Sequence, residues 1–123
     1  MSNPQKNKGD KFERDTVAYF RSRAFHVDRT RAGWADDRGD VHGLVSGDGR
    51  AFTIECKNHK QQNLSGWIAE LRVETANNHG RVGAVIHKKR GTSEAGEQYA
   101  TLPLEWLITL LEEAGYKCGC GEC

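Results

Sequence analysis

Two carboxylates and one lysine flank two neighbouring apolar segments, and together they could support metal-dependent hydrolysis. Asp40 precedes the apolar run 41–45, whereas Glu55 and Lys57 close a second run, 51–54. Hard divalent ions such as Mg²⁺ prefer carboxylate oxygens and retain several waters. A metal held in this way can activate a water and offset charge on a phosphate, and a nearby ammonium can stabilise the transition state. These residue types therefore favour phosphodiester hydrolysis.

A β-hairpin would bring the three side chains together. The turn sequence at 46–49, Ser-Gly-Asp-Gly, separates the two apolar runs and is typical of a link between antiparallel strands. The start of the first strand then lies beside the end of the second, so Asp40 should approach Glu55 and Lys57. Side chains alternate along a strand, so Cys56 should point into the sheet as a small hydrophobic residue.

The choice of the first metal-binding carboxylate has alternatives nearby. Asp36 and Asp37 lie in a loop, 31–38, that is rich in Gly, Asp and Arg. We prefer Asp40 because it directly adjoins the apolar strand that would hold it rigid.

Another carboxylate, Glu13, lies on the first predicted helix, which we expect at 10–24. It aligns with Val17 and Phe20 on the core-facing side, where a carboxylate is unusual. Two explanations stay open. Asp10 and Glu13 have the spacing of a capping box, in which Asp10 would be the N-cap. Alternatively, Glu13 reaches the metal site.

The charge distribution favours one polyanion-binding face. The net charge is only +1, but residues 1–31 carry 8 basic against 4 acidic side chains, and 81–90 carry 4 against none. By contrast, residues 91–123 carry 1 against 6. Charge alone is equally consistent with scattered solvated side chains. The candidate DNA contacts are the basic residues Lys8, Lys11, Arg14, Arg29, Arg31, Arg38, Lys88, Lys89 and Arg90.

The hydrophobic pattern predicts one α/β domain with a mixed sheet flanked by helices, in the order α-β-β-β-α-β-β-α. After the first helix we expect strands at 25–30, 41–45 and 51–57, a helix at 64–79, a central strand at 82–87 and an edge strand at 99–102. A last helix should begin at Pro103 and bury a core stripe made of Leu104, Leu107, Ile108 and Leu111. We expect a flexible basic arm at 1–9, the domain at 10–116 and a tail at 117–123.

The cysteine-rich tail has two interpretations. Cys118, Cys120 and Cys123 could bind Zn²⁺, but a structural zinc site needs four ligands. A glycine-rich terminal segment is more often disordered, so zinc binding is the weaker interpretation. No apolar run is long enough to span a membrane and no signal-peptide core is evident, so we expect a cytoplasmic protein.

An Asp followed by Glu-X-Lys at the end of an apolar strand resembles the PD-(D/E)XK nuclease superfamily. With Glu13-Arg14 on the first helix, the layout of residues 9–60 is most similar to the archaeal-type Holliday junction resolvases. Gly39 stands where the superfamily's name has proline. The resemblance implies a restriction-endonuclease-like fold, a homodimer and Mg²⁺-dependent (or Mn²⁺-supported) nicking of four-way DNA junctions. It implies that Asp40, Glu55 and the Cys56 carbonyl bind metal, that Glu13 assists a metal or water, and that Lys57 positions the attacking water.

Three other functions remain open at this point. The chain could be a different nuclease of the same fold, such as a restriction or repair enzyme or a nickase. It could be a catalytically silent nucleic-acid-binding module, although binding alone does not require clustered carboxylates facing a phosphate. It could also be a small metal-binding regulator that acts through its cysteine tail.

Overall fold

A five-stranded mixed sheet, flanked by three helices, forms the centre of the molecule, and the predicted α/β class and element order are confirmed. The structure is a computed structural model that describes residues 4–30, 38–117 and 119. Its elements are α1 (Pro4–Ser22), β1 (Asp28–Arg29), β2 (Val41–His42), β3 (Phe52–Lys57), α2 (Leu64–Asn77), β4 (Val82–His87), β5 (Tyr99–Thr101) and α3 (Leu104–Glu113). A short 3₁₀ turn, Ala95–Glu97, lies between β4 and β5.

The strands follow one another across the sheet in chain order. β3 and β4 are parallel, and the other three pairs are antiparallel. Because parallel neighbours need a long crossover, α2 connects β3 to β4 and packs on the sheet. β4 is apolar along its length and lies between β3 and β5, as its sequence predicted.

The predicted hairpin is confirmed, with a shorter first strand. Val41 pairs with Ile54, and an isolated bridge joins Val45 to Ala51 near the turn. Regular pairing stops at Gly43, whose φ is +117°. A Cβ there would lie 2.6 Å from the carbonyl oxygen of His26, so the close backbone approach requires glycine.

The backbone conformation of Gly39 excludes proline at this position. Its φ is +90°, which the proline ring cannot adopt, and a Cβ there would lie 2.7 Å from the carbonyl oxygen of Ile54. The residue that follows, Asp40, donates its backbone N–H to that same carbonyl at 2.7 Å. Glycine therefore lets the chain run tightly against β3 just before the candidate metal ligand.

Helix α1 begins six residues earlier than the sequence predicted. The chain is helical from Pro4, so residues 4–9 are not a flexible arm and Asp10 is not an N-cap. Proline is well suited to the first helical turn. Ion pairs between Lys6 and Asp10 (3.0 Å) and between Lys11 and Asp15 (2.6 Å) join positions one turn apart and support the longer helix. The capping-box interpretation of Glu13 is therefore wrong.

Apolar side chains cover both faces of the sheet. On one face, Val17 of α1 packs with Val27, Val41 and Ile54, and Cys56 lies against this cluster as predicted. On the other face, Trp67 and Leu71 of α2 pack with Val85 of β4. Burial raises the pKa of the Cys56 thiol well above its usual range, which fits a core side chain rather than a reactive one.

The prediction for the core stripe of α3 is wrong. Leu104 is 71% exposed, Leu107 39% and Ile108 47%, and no residue of α3 is fully buried. The helix faces the protein instead through Trp106, which packs beside Trp67, Leu71 and Val85. Periodicity identified an apolar stripe correctly but could not tell which surface would cover it. Within the described part of the chain, no helix is long and apolar enough to cross a membrane.

Candidate active site

The predicted carboxylates of Asp40 and Glu55 meet at the carboxyl end of β3. Asp40 precedes β2, and its Oδ2 accepts a hydrogen bond from the backbone N–H of Cys56 at 2.8 Å. Its carboxyl group also forms a side-chain hydrogen bond with that of Glu55, which is 95% buried. The hairpin register therefore places the two acids against each other, as the strand pattern predicted.

These two carboxyls retain a proton at pH values far above those at which Asp and Glu side chains usually ionise. Burial, followed by the hydrogen bond to Glu55 and its charge, raises the pKa of Asp40 from 3.8 to about 8. Burial is also the main cause that raises the pKa of Glu55 from 4.5 to about 8. A hydrogen bond between two carboxyls requires one proton, which belongs to the pair rather than to either residue. At neutral pH the pair therefore holds a proton that a cation could replace.

Lys57 lies beside this pair and is held by a second acid. Its Nζ is 4.0 Å from Glu55 Oε2 and 2.9 Å from Glu70 Oε2 on α2. Burial opposes the lysine charge, but the hydrogen bond to Glu70 and the nearby carboxylates outweigh it and raise the pKa of Lys57. The side chain is therefore a fixed positive charge next to the carboxyl pair. No sequence signal identified Glu70, because its pairing depends on how α2 packs.

Glu13 approaches the same site from α1. Its Oε1 accepts hydrogen bonds from Arg29 Nε at 3.3 Å and Nη2 at 3.1 Å, and the same Nη2 contacts Asp10 at 3.0 Å. Burial, and next the charge of Asp40, raise the pKa of Glu13. Glu13 therefore lies within electrostatic reach of Asp40, and Arg29 holds it there. The guanidinium of Arg29 is thus engaged by two carboxylates within the protein, and its contact with phosphate stays a prediction.

A further buried acid, Glu74, was missed by the sequence analysis. It lies on α2, is 98% buried and lies close enough to Glu55 to raise the pKa of that carboxyl group further, after the larger effect of burial. The signal was available: Glu74 follows Trp67 by seven positions and Leu71 by three, which places it on the core-facing stripe. The same argument had singled out Glu13. Three carboxyls thus follow one another through the site, from Asp40 through Glu55 to Glu74.

A basic groove begins where β3 and β4 end. Two clefts, of about 210 Å³ and 430 Å³, share Lys8 and Asn58 as walls. The first also contains Lys11 and Lys88, and the second contains Lys60 and Arg90. We call these residues and the clefts between them the basic groove. The structure thus brings together four of the predicted DNA contacts, and it adds Lys60, which the sequence analysis passed over as part of a polar segment.

The other predicted contacts that the structure describes lie outside the basic groove. Arg14 is exposed on another side of α1, near Arg29, and Arg38 is partly buried. Lys89 is partly buried, and its backbone N–H donates to Gln98 Oε1 at 2.7 Å. Arg31, the competing Asp36 and Asp37, and the tail cysteines Cys118, Cys120 and Cys123 lie outside the described residues.

The oxygen-rich donor set suits a hard divalent cation. Among residues 4–30 and 38–117, no group of three His, Cys, Asp or Glu side chains has the arrangement needed to hold a metal. A cation at Asp40 and Glu55 would therefore complete its coordination with backbone oxygen and water. Mg²⁺ commonly binds through one or two carboxylates and several waters, so the carboxyl pair fits this ion. The assignment of the Cys56 carbonyl as a further ligand stays a prediction.

A larger cavity lies elsewhere in the described structure. Its volume is about 540 Å³, and mainly apolar side chains line it near Phe52 and Val82, where β3 and β4 begin. The carboxyl pair lies at the other end of β3. We place the candidate site at the acids and not at this cavity, because the ionisable groups with displaced pKa values are gathered there.

Comparison of the chain with protein-family models, with curated proteins and with solved structures gave no match. The resemblance of the sequence motif to a nuclease superfamily therefore stays a hypothesis. Function has to be inferred from the geometry of the site.

The carboxyl pair predicts an unusual pH dependence of stability when no divalent cation is present. The folded pair keeps its proton until about pH 8, whereas the unfolded carboxyls lose theirs near 3.8 and 4.5. Ionisation between these values therefore favours the unfolded chain, and the Asp40→Asn substitution removes part of this effect. Between pH 5 and pH 8, the free energy of unfolding of the variant should rise relative to wild type by roughly 2 kcal/mol.

Urea denaturation in EDTA at several pH values measures this difference. Asp28→Asn is the matched control, because Asp28 is an exposed aspartate away from the carboxyl pair. The control should keep the wild-type pH dependence. A constant difference between Asp40→Asn and wild type over this pH range would contradict a shared proton.

Proposed function

We propose that this protein is a Mg²⁺-dependent DNA endonuclease with a restriction-endonuclease-like fold, and that its most specific substrate is a four-way junction. The observation that carries this proposal is the carboxyl pair of partly buried Asp40 and buried Glu55, with Lys57 beside it, at the strand end where the basic groove begins. Phosphodiester hydrolysis needs two carboxylates that bind a cation, an ammonium group beside them and a basic surface that binds the polyanionic substrate.

Each residue of the site has a distinct task in this proposal. A divalent cation bound by Asp40 and Glu55, with Mn²⁺ able to substitute for Mg²⁺, would lower the pKa of a bound water and offset charge on the phosphate. The Cys56 N–H fixes the orientation of Asp40. Lys57 supplies a point charge for the attacked phosphate. Arg29 orients Glu13, which adds negative potential beside Asp40. This potential would favour a divalent cation over a proton at the carboxyl pair.

The basic groove supports a nucleic-acid substrate. Its described lining carries basic side chains from three separate chain segments, with Asp15 as its acidic member. Asp15 is already paired with Lys11 at 2.6 Å. The groove therefore concentrates positive charge locally although the net charge of the chain is only +1. Phosphates of a DNA strand lying in the groove would lead the backbone towards the carboxyl pair.

A homodimer would suit a branched substrate. Two copies carry two identical sites, which could nick two symmetry-related strands of a junction. A restriction-type or repair-type endonuclease would use the same chemistry to cut a linear duplex. A nickase would use it to cut one strand of a duplex.

A catalytically silent nucleic-acid-binding module is the second candidate. The observation that favours it is the contact of 2.9 Å between Lys57 and Glu70, which neutralises the lysine within the protein. Catalysis would require Lys57 to turn from Glu70 towards a phosphate. A binding module would use the basic groove and leave this ion pair intact.

Cleavage of a labelled four-way junction tests the proposal, beside linear duplex and single-stranded DNA, with Mg²⁺ or with EDTA. We expect paired nicks in the junction that need Mg²⁺. Asp40→Asn, Glu55→Gln and Lys57→Ala should each lower the cleavage rate at least ~100-fold and leave junction binding within about threefold of wild type, because the groove is unchanged. Asp28→Asn again serves as the surface control.

Each outcome of the cleavage assay has a defined meaning. Equal cleavage of all three substrates would keep the nuclease and reject junction selectivity. If the protein binds the junction but does not cleave it with any divalent cation tested, the proposal of nuclease activity is rejected and the binding module is favoured. The groove is tested separately by salt-dependent binding: Lys60→Ala should lower the slope of log affinity against log salt by about 1. Arg50→Ala, at the other end of β3, should not.

Glu13→Gln distinguishes an electrostatic role of Glu13 from a structural one. Because α1 begins at Pro4, the substitution removes no helix cap, and Arg29 keeps its contact with Asp10. We expect cleavage to fall ~10-fold or more with a melting temperature close to that of wild type. Asp28→Asn, at an exposed carboxylate outside the basic groove, is again the control. A lower melting temperature with normal cleavage per folded molecule would contradict the role in the site.

A further inference from the structure

An aromatic ring lies among the cations of the basic groove. Besides its basic residues, the larger of the two clefts is lined by Asn58 and His59. His59 is exposed, and its ring lies against that of Trp67 on α2, with 5.9 Å between the ring centres and 35° between the ring planes. We call the rings of His59 and Trp67 together the aromatic platform.

The inner ring of the aromatic platform is fixed by the core. Trp67 is only 5% exposed and belongs to the apolar cluster beneath α2. The ring of His87 on β4 lies 5.6 Å from it, centre to centre, and a hydrogen bond of 2.8 Å joins His87 Nε2 to Thr101 Oγ1 on β5. His59 is therefore placed against a ring that the sheet and α2 hold in position.

The segment that carries His59 is also held at both ends. Arg90 donates to the side-chain oxygen of Asn58 at 3.2 Å, just before His59. Asn63 caps α2, because its side chain accepts a hydrogen bond from the backbone N–H of Gly66 at 3.2 Å. A surface that is ordered before its ligand arrives loses little conformational entropy on binding.

The surroundings of the aromatic platform match a single nucleic-acid strand. Lys8, Lys60 and Arg90 line the same cleft and could bind the phosphates of a strand whose bases reach His59. Proteins that bind single strands combine a basic groove with aromatic rings on which bases stack. A base within a duplex has both faces covered by its neighbours. Only a single strand, a branch point or an extruded nucleotide therefore offers a face to the ring.

We infer that His59 stacks on an unpaired nucleobase of the DNA strand that lies in the basic groove. His59 follows Lys57 by two positions, so their Cα atoms are at most about 7 Å apart. The stacked nucleotide would therefore lie beside the phosphate at the carboxyl pair. The inference rests on the proposed function for its DNA strand, and it deepens that function by naming an unpaired base as the feature that is bound. It does not require cleavage.

Fluorescence anisotropy of a short labelled single strand, in EDTA, tests the inference. The strand is compared with an abasic strand of the same length, which keeps the phosphates and lacks the bases. Loss of the bases should weaken binding to wild type ~10-fold, because a stacked base contributes strongly to affinity. His59→Ala should bind the two strands with affinities within about twofold of each other. His59→Phe should keep the wild-type difference, because its ring can still stack.

His26→Ala is the matched control for His59→Ala. His26 is also an exposed histidine, but it lines the apolar cavity where β3 begins. This variant should keep the wild-type difference between the two strands. Equal binding of both strands by wild type, or an undiminished difference in His59→Ala, would overturn the inference.

Salt dependence separates stacking from a phosphate contact of His59. His59→Ala should weaken binding of the single strand by the same factor at two salt concentrations, because stacking releases no counterions. A lower slope of log affinity against log salt, as expected for Lys60→Ala, would contradict stacking. Thermal melting shows whether His59→Ala is folded. If it is not, NMR of wild type decides: the imidazole signals of His59 should shift with the base-containing strand and much less with the abasic strand, and equal shifts would reject stacking.

The inference and the proposed function can fail separately. Cleavage of the four-way junction by a wild type that binds both single strands equally would reject only the stacking. A difference between the two strands that depends on His59, without cleavage of any substrate, would leave the stacking standing and reject only the nuclease activity.

Discussion

The forced contact between the partly buried carboxyl of Asp40 and the buried carboxyl of Glu55 is the constraint on which the site depends. Asp40 and Glu55 would repel each other as anions, and burial makes that repulsion costly, so in the absence of a cation the pair retains a proton to about pH 8. A protein gains no stability from such an arrangement, because an apolar pair would pack there without the penalty. In the proposed function, the contact is a site whose proton is exchanged for a cation.

The fold supplies what holds the pair together. Apolar residues on both faces of β3 fix the strand, and Gly39 lets the chain pass close enough for Asp40 to reach the Cys56 N–H. Helices contribute from both sides: α1 brings Glu13 with its partner Arg29, and α2 brings Glu70 to Lys57. The same strand end opens into the basic groove, so the acids and these clustered basic side chains share one edge of the sheet.

Local patterns predicted the parts of the structure that local interactions determine. The turn between two alternating strands was enough to bring Asp40 to Glu55, since antiparallel pairing fixes that register. The start of α1 was missed because Asp10 has the character of an N-cap, whereas it pairs with Lys6 and Arg29 inside a longer helix. The other limit is shown by Glu74 and by the exposed apolar residues of α3, Leu104, Leu107 and Ile108. Periodicity identifies a face of a helix, but only tertiary packing decides whether protein, solvent or another chain covers it.

Proton release on cation binding tests the central claim most directly. Mg²⁺ is titrated calorimetrically into the protein at pH 7 in two buffers of different ionisation enthalpy, which gives the number of protons released for each bound ion. Since the carboxyl pair holds a proton at this pH, binding of one Mg²⁺ should release about one proton, and Asp40→Asn should abolish binding. Binding of Mg²⁺ without proton release, or binding that persists in Asp40→Asn, would show that the ion does not occupy this pair.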